Sequence, residues 1–441
     1  MWFKTITILA LILSTSSATL LNLTHQGLKK EHFFLDLQHR TNVPEVTDLI
    51  LRGNEFDSFL DCSANLENLR TLDLSQNHLQ KFFFLCKSEY NLEMLNVSHN
   101  SLEYIDENAL NNRTSKLKVL DLSWNKLPSV NETMLEHFKL LEYLSLANNP
   151  INDGIHENSF WNLKKLQYLN LSNVSSSYFS SELFKTLNNL SKLDLSQNPI
   201  STLPLLPGAL VELDLSNTHI TRFQNVYLPL LRELKMNNMQ SLRELYLNDF
   251  ENFTNLEILT LDGSKKLLHL KILSYEERLL PRLQRLSLSS CGLRTLDYNL
   301  ASIIKRTPIL NLENNHWNCD CKMQWLSMSN TTRILSREII CYTPREIMGK
   351  QLSTIPTYEL VCEGETSIFR PVLWACILIL IVGITLAVGF FVQRRPLGQW
   401  DFIRKNHDTV TYTNVDETSN DMVKILTVGE AADETFERND E

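Results

Sequence analysis

The sequence predicts an α/β repeat protein: a curved solenoid of about twelve turns with a parallel β-sheet on its concave face, followed by one transmembrane helix and a disordered tail. Three observations predict it. An L-x-x-L-x-L-x-x-N pattern recurs along most of the chain, an uncharged run of 21 apolar residues lies near its C-terminal end, and four cysteines follow directly on the last repeat.

The periodicity is the dominant signal, and a period of about two dozen residues marks a stacked architecture. Leu69, Leu72, Leu74 and Asn77 form one copy of the pattern; Leu92, Leu95, Val97 and Asn100 form the next. The ninth position falls at residues 54, 77, 100, 125, 149, 174, 198, 218, 239, 264, 291 and 315. In an extended strand the L-x-L leucines share one face and the x residues the other. One repeat cannot bury its leucines alone, so neighbours stack to make a continuous core. The asparagine ending each copy is polar in an apolar column, so its amide must bond the backbone of adjacent turns. Val174, Thr218, Met239, Ser264 and Cys291 depart from asparagine, which predicts a less regular ladder after residue 170. Between 231 and 255 two sets, Leu231, Leu234, Met236 and Leu242, Leu245, Leu247, compete for register. Phe138, Phe160 and Phe184 recur as a spine on the far side of successive turns.

On these leucines and asparagines the chain resembles the extracellular leucine-rich-repeat family, over roughly residues 46 to 362. The resemblance implies a leucine-rich-repeat solenoid over 46–317 with a concave sheet that binds a partner. In kind it resembles leucine-rich-repeat adhesion receptors and Toll-like receptor ectodomains.

The termini place this solenoid outside the cell. Residues 1–18 hold Lys4, an apolar core and small residues before Ala18, the form of a cleaved secretory signal; a membrane anchor is the alternative, but the run is too short to span. Val372 to Val392 would be about 31 Å long as a helix, matching the hydrocarbon thickness. Pro371 stands at its start, so the expected span is 371–392. Arg394 and Arg395 follow it, which marks the cytoplasmic side and predicts a single-pass type I protein of the plasma membrane. Gly383 and Ala387 form a small-x-x-x-small pair, a candidate homodimer contact. Residues 363–370 would be juxtamembrane and 393–441 a cytoplasmic tail.

Cys319, Cys321, Cys341 and Cys362 follow the last repeat, with Trp317 and Trp325 nearby. Four cysteines allow three pairings, and zinc is the rival reading; a secreted segment oxidises its thiols. The resemblance implies a C-terminal cap over 318–362 with bridges Cys319–Cys341 and Cys321–Cys362. Cys62 and Cys86 lie about one repeat apart, within bridging reach on adjacent turns. Cys291 occupies a ladder position as a small buried residue, and Cys376 lies in the span. Many relatives carry a four-cysteine N-terminal cap, but residues 19–61 contain no cysteine; in the cap segment 19–45, Phe34-Leu35-Asp36-Leu37 could supply an edge strand instead.

Acceptor sequons for N-glycans occur at Asn22, Asn96, Asn112, Asn131, Asn170, Asn173, Asn189, Asn252 and Asn330, all before the membrane run. Asn96 and Asn170 fall at outward strand positions, so sugars there would stand on the sheet. Asp73, Asp121, Asp194 and Asp214 share that column, where a structural or solubility role is expected. Trp124, Tyr143 and Tyr168 stand outward on three successive repeats and are the ligand-binding candidates, weighed against ordinary surface decoration.

Several classes are disfavoured. Net charge is −9 with no strongly basic stretch, which makes nucleic acid a poor partner. There is no glycine-rich phosphate loop, and the histidines are scattered outside any catalytic motif, so no enzyme, cofactor or metal is expected. The 49-residue tail carries eleven acidic and six basic side chains. It is too short for a Toll/interleukin-1-receptor domain, so Toll-type signalling by this chain alone is not expected. Tyr412-Thr413-Asn414 has the Y-x-N form read by phosphotyrosine adaptors, a candidate phosphorylation site. The expected function is a cell-surface receptor or adhesion protein binding a protein partner. A co-receptor signalling through the tail and an innate-immune recognition protein are the alternatives. Deleting residues 399–441 separates the first two in a cell-adhesion assay with a signalling readout: adhesion survives the deletion, and co-receptor output vanishes.

Overall fold

A computed structural model describes residues 19–30, 45–60, 66, 68–87, 89–223, 226–273, 279–328, 339–362 and 366–393. The expected signal peptide, Phe34–Leu37, Cys62, Asn330, Arg394, Arg395 and Tyr412 lie outside the described residues. The chain divides into a repeat unit up to Glu365 and a second unit from Thr366.

The repeat unit is built on one parallel sheet of thirteen strands in chain order. They are Thr19–Asn22, Val46–Ile50, Thr71–Asp73, Met94–Asn96, Val119–Asp121, Tyr143–Ser145, Tyr168–Asn170, Lys192–Asp194, Glu212–Asp214, Glu233–Lys235, Ile258–Thr260, Arg285–Ser287 and Ile309–Asn311. Short strands suit the pattern: each is an x-L-x tripeptide, such as Thr71–Asp73, with one leucine facing inward between two residues facing out. The central leucines run in register as neighbours: Leu49, Leu72, Leu95, Leu120, Leu144 and Leu169, and on to Leu310. Leu72, Leu95, Leu120, Leu144 and Leu169 are wholly buried, as are Phe138, Phe160 and Phe184.

The sheet has one strand more than the periodicity predicts. Thr19–Asn22 lies ahead of the first leucine pattern and pairs in parallel with Val46–Ile50, with Leu21 beside Leu49. This segment is the N-terminal edge of the described sheet. The register conflict between 231 and 255 is resolved by using both sets. Glu233–Lys235 joins the main sheet, while Glu244–Tyr246 pairs with His269–Lys271 in a separate two-stranded sheet. Ser58–Leu60 and Lys81–Phe83 form a similar pair near the start.

The asparagine amides tie the turns together. Asn149 Nδ2 donates to its own turn at Leu146 O (2.9 Å) and to the previous turn at Leu122 O (3.0 Å), while its Oδ1 accepts the Leu127 N–H (3.0 Å). Asn77, Asn100 and Asn125 repeat this arrangement, so Leu74 O and Val97 O each accept from two successive amides. Where the column lacks asparagine, bonding thins. Thr218 Oγ1 reaches one carbonyl, Leu215 O, and the Met239 sulfur at 3.7 Å; Ser264 Oγ accepts from Met239 N and donates to Met236 O, and the buried Cys291 thiol reaches Leu261 O. The sheet persists through this stretch, because the buried leucine layer continues unbroken.

After the last strand the chain closes over its own end. Trp317 is buried with its indole N–H donated to Leu312 O at 3.2 Å, and Met323, Leu326, Ile339 and Leu352 pack as a core. Disulfides join Cys319 to Cys341 and Cys321 to Cys362, with Cα–Cα distances of 5.5 and 5.0 Å. Cys86 is also disulfide-bonded, whereas Cys291 and Cys376 are free thiols.

The described residues of the second unit form one helix, Thr366–Gln393, of 28 residues. Its stretch Val372–Phe390 is long and apolar enough to cross a membrane. Pro371 does not start this helix, as the sequence suggested, but is its sixth residue. Four N–H groups at a helix start need no partner, and at the sixth position proline forgoes a single backbone bond.

The amide ladder makes a stability prediction. Asn149→Ala leaves the buried Leu127 N–H and the carbonyls of Leu122 and Leu146 each short of a partner, and should lower the unfolding free energy by about 2 kcal/mol. The check is the urea midpoint of the full chain in detergent.

Candidate functional site

Strand periodicity sorts the side chains of the open sheet face into columns, and each column has its own chemistry. The residue after each central leucine is aspartate or asparagine in most turns. Asp73, Asn96, Asp121, Asn170, Asp194 and Asp214 each accept the N–H two residues on, from Ser75, Ser98, Ser123, Ser172, Ser196 and Ser216, at 2.8–3.0 Å. The reason is backbone parity. The N–H groups of Leu74 and Gln76 reach the next turn, at Asn96 O and Ser98 O, whereas the Ser75 N–H between them points the other way. A short side-chain acceptor closes that bond locally. Where the acceptor is missing, at Lys235, Thr260 and Ser287, the neighbouring turn supplies one. Ser216 Oγ takes the Asn237 N–H, Asn237 Oδ1 that of Asp262, and Asp262 Oδ1 that of Ser289. The aspartates are therefore structural first. Burial raises the Asp194 carboxyl above its ordinary range, against the hydrogen bonds from Ser196, with Asp214 adding repulsion.

The residue before each central leucine is different. Met94, Val119, Tyr143 and Tyr168 are successive register partners, so four adjacent strands carry an apolar or aromatic strip. Thr71 precedes it and Lys192 and Glu212 follow. The Tyr143 and Tyr168 rings stack at 4.5 Å, 1° from parallel. Half-buried, Tyr143 has its phenol pushed up to about 12 by loss of solvent, with Asp121 and Tyr168 adding to the shift. Tyr168 moves the same way for the same first cause. Ion pairs flank the strip, Lys118–Glu93 on one side and Lys192–Glu212 on the other, both at 2.7 Å. Being solvent-exposed they contribute little stability and mainly set the local charge pattern. A cavity of about 400 Å³ opens on the same face beside Arg70, Glu93, Met94, Lys118 and Val119.

Trp124 belongs to a third column. The residue just before each ladder position has positive φ in all twelve turns, from Gly53 and Gln76 through Trp124 to Asn314, between 51° and 74°. Asparagine and glycine dominate there because they tolerate the left-handed conformation. Trp124 is half exposed and stacks on His99 of the previous turn, with centroids 5.1 Å apart. The three aromatic candidates thus form two surfaces: a tyrosine pair on the strands and a tryptophan–histidine stack at the turns. Sequence reading missed Met94, Val119 and His99. Reading down each register column, instead of picking out aromatics, would have found them.

Among the sequon asparagines, Asn22, Asn131, Asn173 and Asn189 are exposed, and Asn112 is exposed at the start of a short 3-10 turn. Asn96, Asn170 and Asn252 are partly exposed. Asn131 Oδ1 caps the helix Glu132–Leu135 by accepting the Met134 N–H.

Two family models match: a leucine rich repeat over residues 90–151 and a second over residues 140–163. The fold is a leucine-rich-repeat solenoid. Its repeats are similar to those of receptors that include Toll-like receptor 3 of Bos taurus, 27% identical over 293 residues, covering 62% of this chain and 30% of the relative. CD180 antigen of Mus musculus is 25% identical over 323 residues, covering 71% and 42%. Toll-like receptor 2 of Boselaphus tragocamelus is 30% identical over 311 residues, covering 66% and 35%. The chain spans between 30% and 42% of the length of these curated relatives. A solved TLR13–ssRNA13 complex aligns with a TM-score of 0.48 at 22% identity, covering 72% of this chain and 54% of that one.

The stacked tyrosines give a titration that can be read directly. Absorbance of phenolate should show a step near pH 12 that disappears in Tyr143→Phe. Because the folded state holds this proton above the ordinary pKa of about 10, folding stability should fall as pH rises from there towards 12.

Proposed function

We propose that this chain is a cell-surface receptor or adhesion protein of the plasma membrane, single-pass and type I, that binds a protein partner on the open face of its sheet. The observation that carries this reading is the strip Met94, Val119, Tyr143 and Tyr168, four in-register apolar or aromatic residues on adjacent strands, with Lys192, Glu212 and Glu233 next in the column. Rigid aromatic side chains that are already stacked lose little conformational freedom on binding, and such residues dominate the energetics of protein interfaces. The flanking pairs Lys118–Glu93 and Lys192–Glu212 suit a polar rim that sets orientation. A protein is favoured over nucleic acid because phosphate recognition draws on a basic stripe, and the sheet face carries Asp121, Asp194 and Asp214.

The likeness to Toll-like receptors and CD180 antigen favours a second reading, recognition in innate immunity, with the same surface as the contact. The apolar stretch Val372–Phe390 supports attachment to a lipid bilayer.

Proximity labelling on intact cells displaying the full chain identifies the neighbours to test. Against a captured partner, Tyr143→Ala with Tyr168→Ala should weaken binding by roughly 30-fold, the effect of losing one hot spot of about 2 kcal/mol. Equal capture by this variant, at equal surface display, counts against the sheet-face reading.

A further inference from the structure

The disulfide-bonded cap presents apolar side chains to solvent on one hairpin, from Ile340 to Gln351. The Gly349 N–H donates to Cys341 O at 2.8 Å, the Cys341 N–H donates to Lys350 O at 2.9 Å, and Ile340 forms an antiparallel bridge with Gln351. Ile339 and Cys341 are buried, so the alternating Ile340 and Tyr342 share the opposite, outer face. Ile340, Tyr342 and, near the turn, Met348 are each more than half exposed. The Tyr342 ring is held edge-on to His316, with centroids 4.7 Å apart. Arg345 and Lys350 are exposed on the same hairpin, and neither forms an ion pair among the described residues. Single exposed apolar residues need no explanation, but several on one hairpin make a patch, and patches mark surfaces that become covered.

What covers this patch follows from the length of chain beyond it. Cys362 is bonded to Cys321, with Cα atoms 5.0 Å apart, and Cys319, two residues earlier, is bonded to Cys341 across 5.5 Å. Those links keep Cys341 within about 18 Å of Cys362. From Cys362 the chain has only residues 363–365 before the helix Thr366–Gln393, whose membrane-crossing stretch begins at Val372. Even with residues 363–365 fully extended, Cys362 stands no more than about 23 Å from that stretch. A compact unit the size of the cap is itself about 24 Å across. The tether is no longer than the cap is wide, so a bilayer around the helix lies within reach of the hairpin. Exposed tyrosine and aliphatic side chains beside basic ones are the composition that lodges at a lipid headgroup layer: the apolar part enters the boundary and the cations meet phosphate.

We propose that the hairpin Ile340–Gln351 seats on the surface of a zwitterionic bilayer, with Ile340, Tyr342 and Met348 entering the headgroup layer and Arg345 and Lys350 meeting lipid phosphates. The inference rests on the reading that Val372–Phe390 crosses the bilayer, and it does not depend on which partner meets the tyrosine strip. The hairpin gives the cap a second attachment besides its tether, so the cap is held at two points and does not swing on one.

The test uses the full chain reconstituted in phosphatidylcholine nanodiscs that contain a phosphatidylcholine with a photoactivatable diazirine near its headgroup. After illumination, lipid adducts are mapped on peptides by mass spectrometry. Adducts should form on the hairpin Ile340–Gln351 and on the helix Thr366–Gln393, and peptides of the sheet such as Tyr143–Ser145 should stay clear. In the variant Tyr342→Glu with Met348→Glu, both at exposed positions, hairpin adducts should fall several-fold while helix adducts are unchanged. Mapping of the Cys319–Cys341 and Cys321–Cys362 bridges in that variant shows that the cap has folded. A second variant, Arg345→Ala with Lys350→Ala, should also lower hairpin adducts. Helix adducts without hairpin adducts, or hairpin adducts equal in the wild type and the folded glutamate variant, overturn the proposal and leave the span reading intact. Absence of adducts on the helix overturns the span reading and the proposal with it.

Discussion

In the early turns of this protein two asparagine amides share one carbonyl, one amide from its own turn and one from the next. Leu122 O accepts from Asn125 and Asn149, and Leu74 O from Asn77 and Asn100. A carbonyl has two lone pairs, and a primary amide nitrogen has two N–H groups, so this arrangement saturates both partners in a place that water does not reach. It also fixes the stagger between turns, since an amide that must reach two carbonyls tolerates little sliding. The buried leucines then meet in register, and burial of their side chains supplies most of the stabilisation.

The functional surface is a consequence of that stagger. When every turn stops at the same point, the side chains on the open face are forced into straight columns about 4.8 Å apart. Positions that are far apart in sequence become neighbours: Tyr143 and Tyr168 stack, His99 lies under Trp124, and Asn148 Oδ1 accepts from Asn173 Nδ2 at 2.8 Å. The protein can therefore write a binding pattern in the outward letters of each repeat without disturbing the inward ones. The aspartate and asparagine column shows the limit of this freedom. Its members point outward yet hold a backbone N–H, so their chemistry is partly committed to the fold.

Thinning of the ladder after residue 170 follows the same logic. Val174 and Met239 have no polar atom able to bridge two turns by donation, and Thr218 and Cys291 each reach one or two carbonyls at most. Order there depends on the leucine layer and on acceptors borrowed across turns, such as Asn237 and Asp262. At the far end no further strand joins the sheet among the described residues. Trp317 and the two bridged cysteine pairs cover the last layer by covalent and aromatic means.

By itself the sequence determined the repeat, its twelve ladder positions, the cap cysteines and the apolar run, because each of these is written in spacing along one dimension. It also held the three aromatic candidates and the sequons as letters. Only the tertiary structure decided which letters meet. The extra strand at Thr19–Asn22 has only the fragment Leu21-Asn22-Leu23 of the leucine pattern, without its leading leucine or closing asparagine, and is placed by pairing with Val46–Ile50. Glu233–Lys235 and Glu244–Tyr246 are both strand-like locally, and the neighbouring strands on either side choose which one joins the main sheet. Trp124 and Tyr143 look alike as outward aromatics, and the left-handed turn at Trp124 separates them into different columns. Contacts between turns depend on where each turn stops, and no single repeat contains that information.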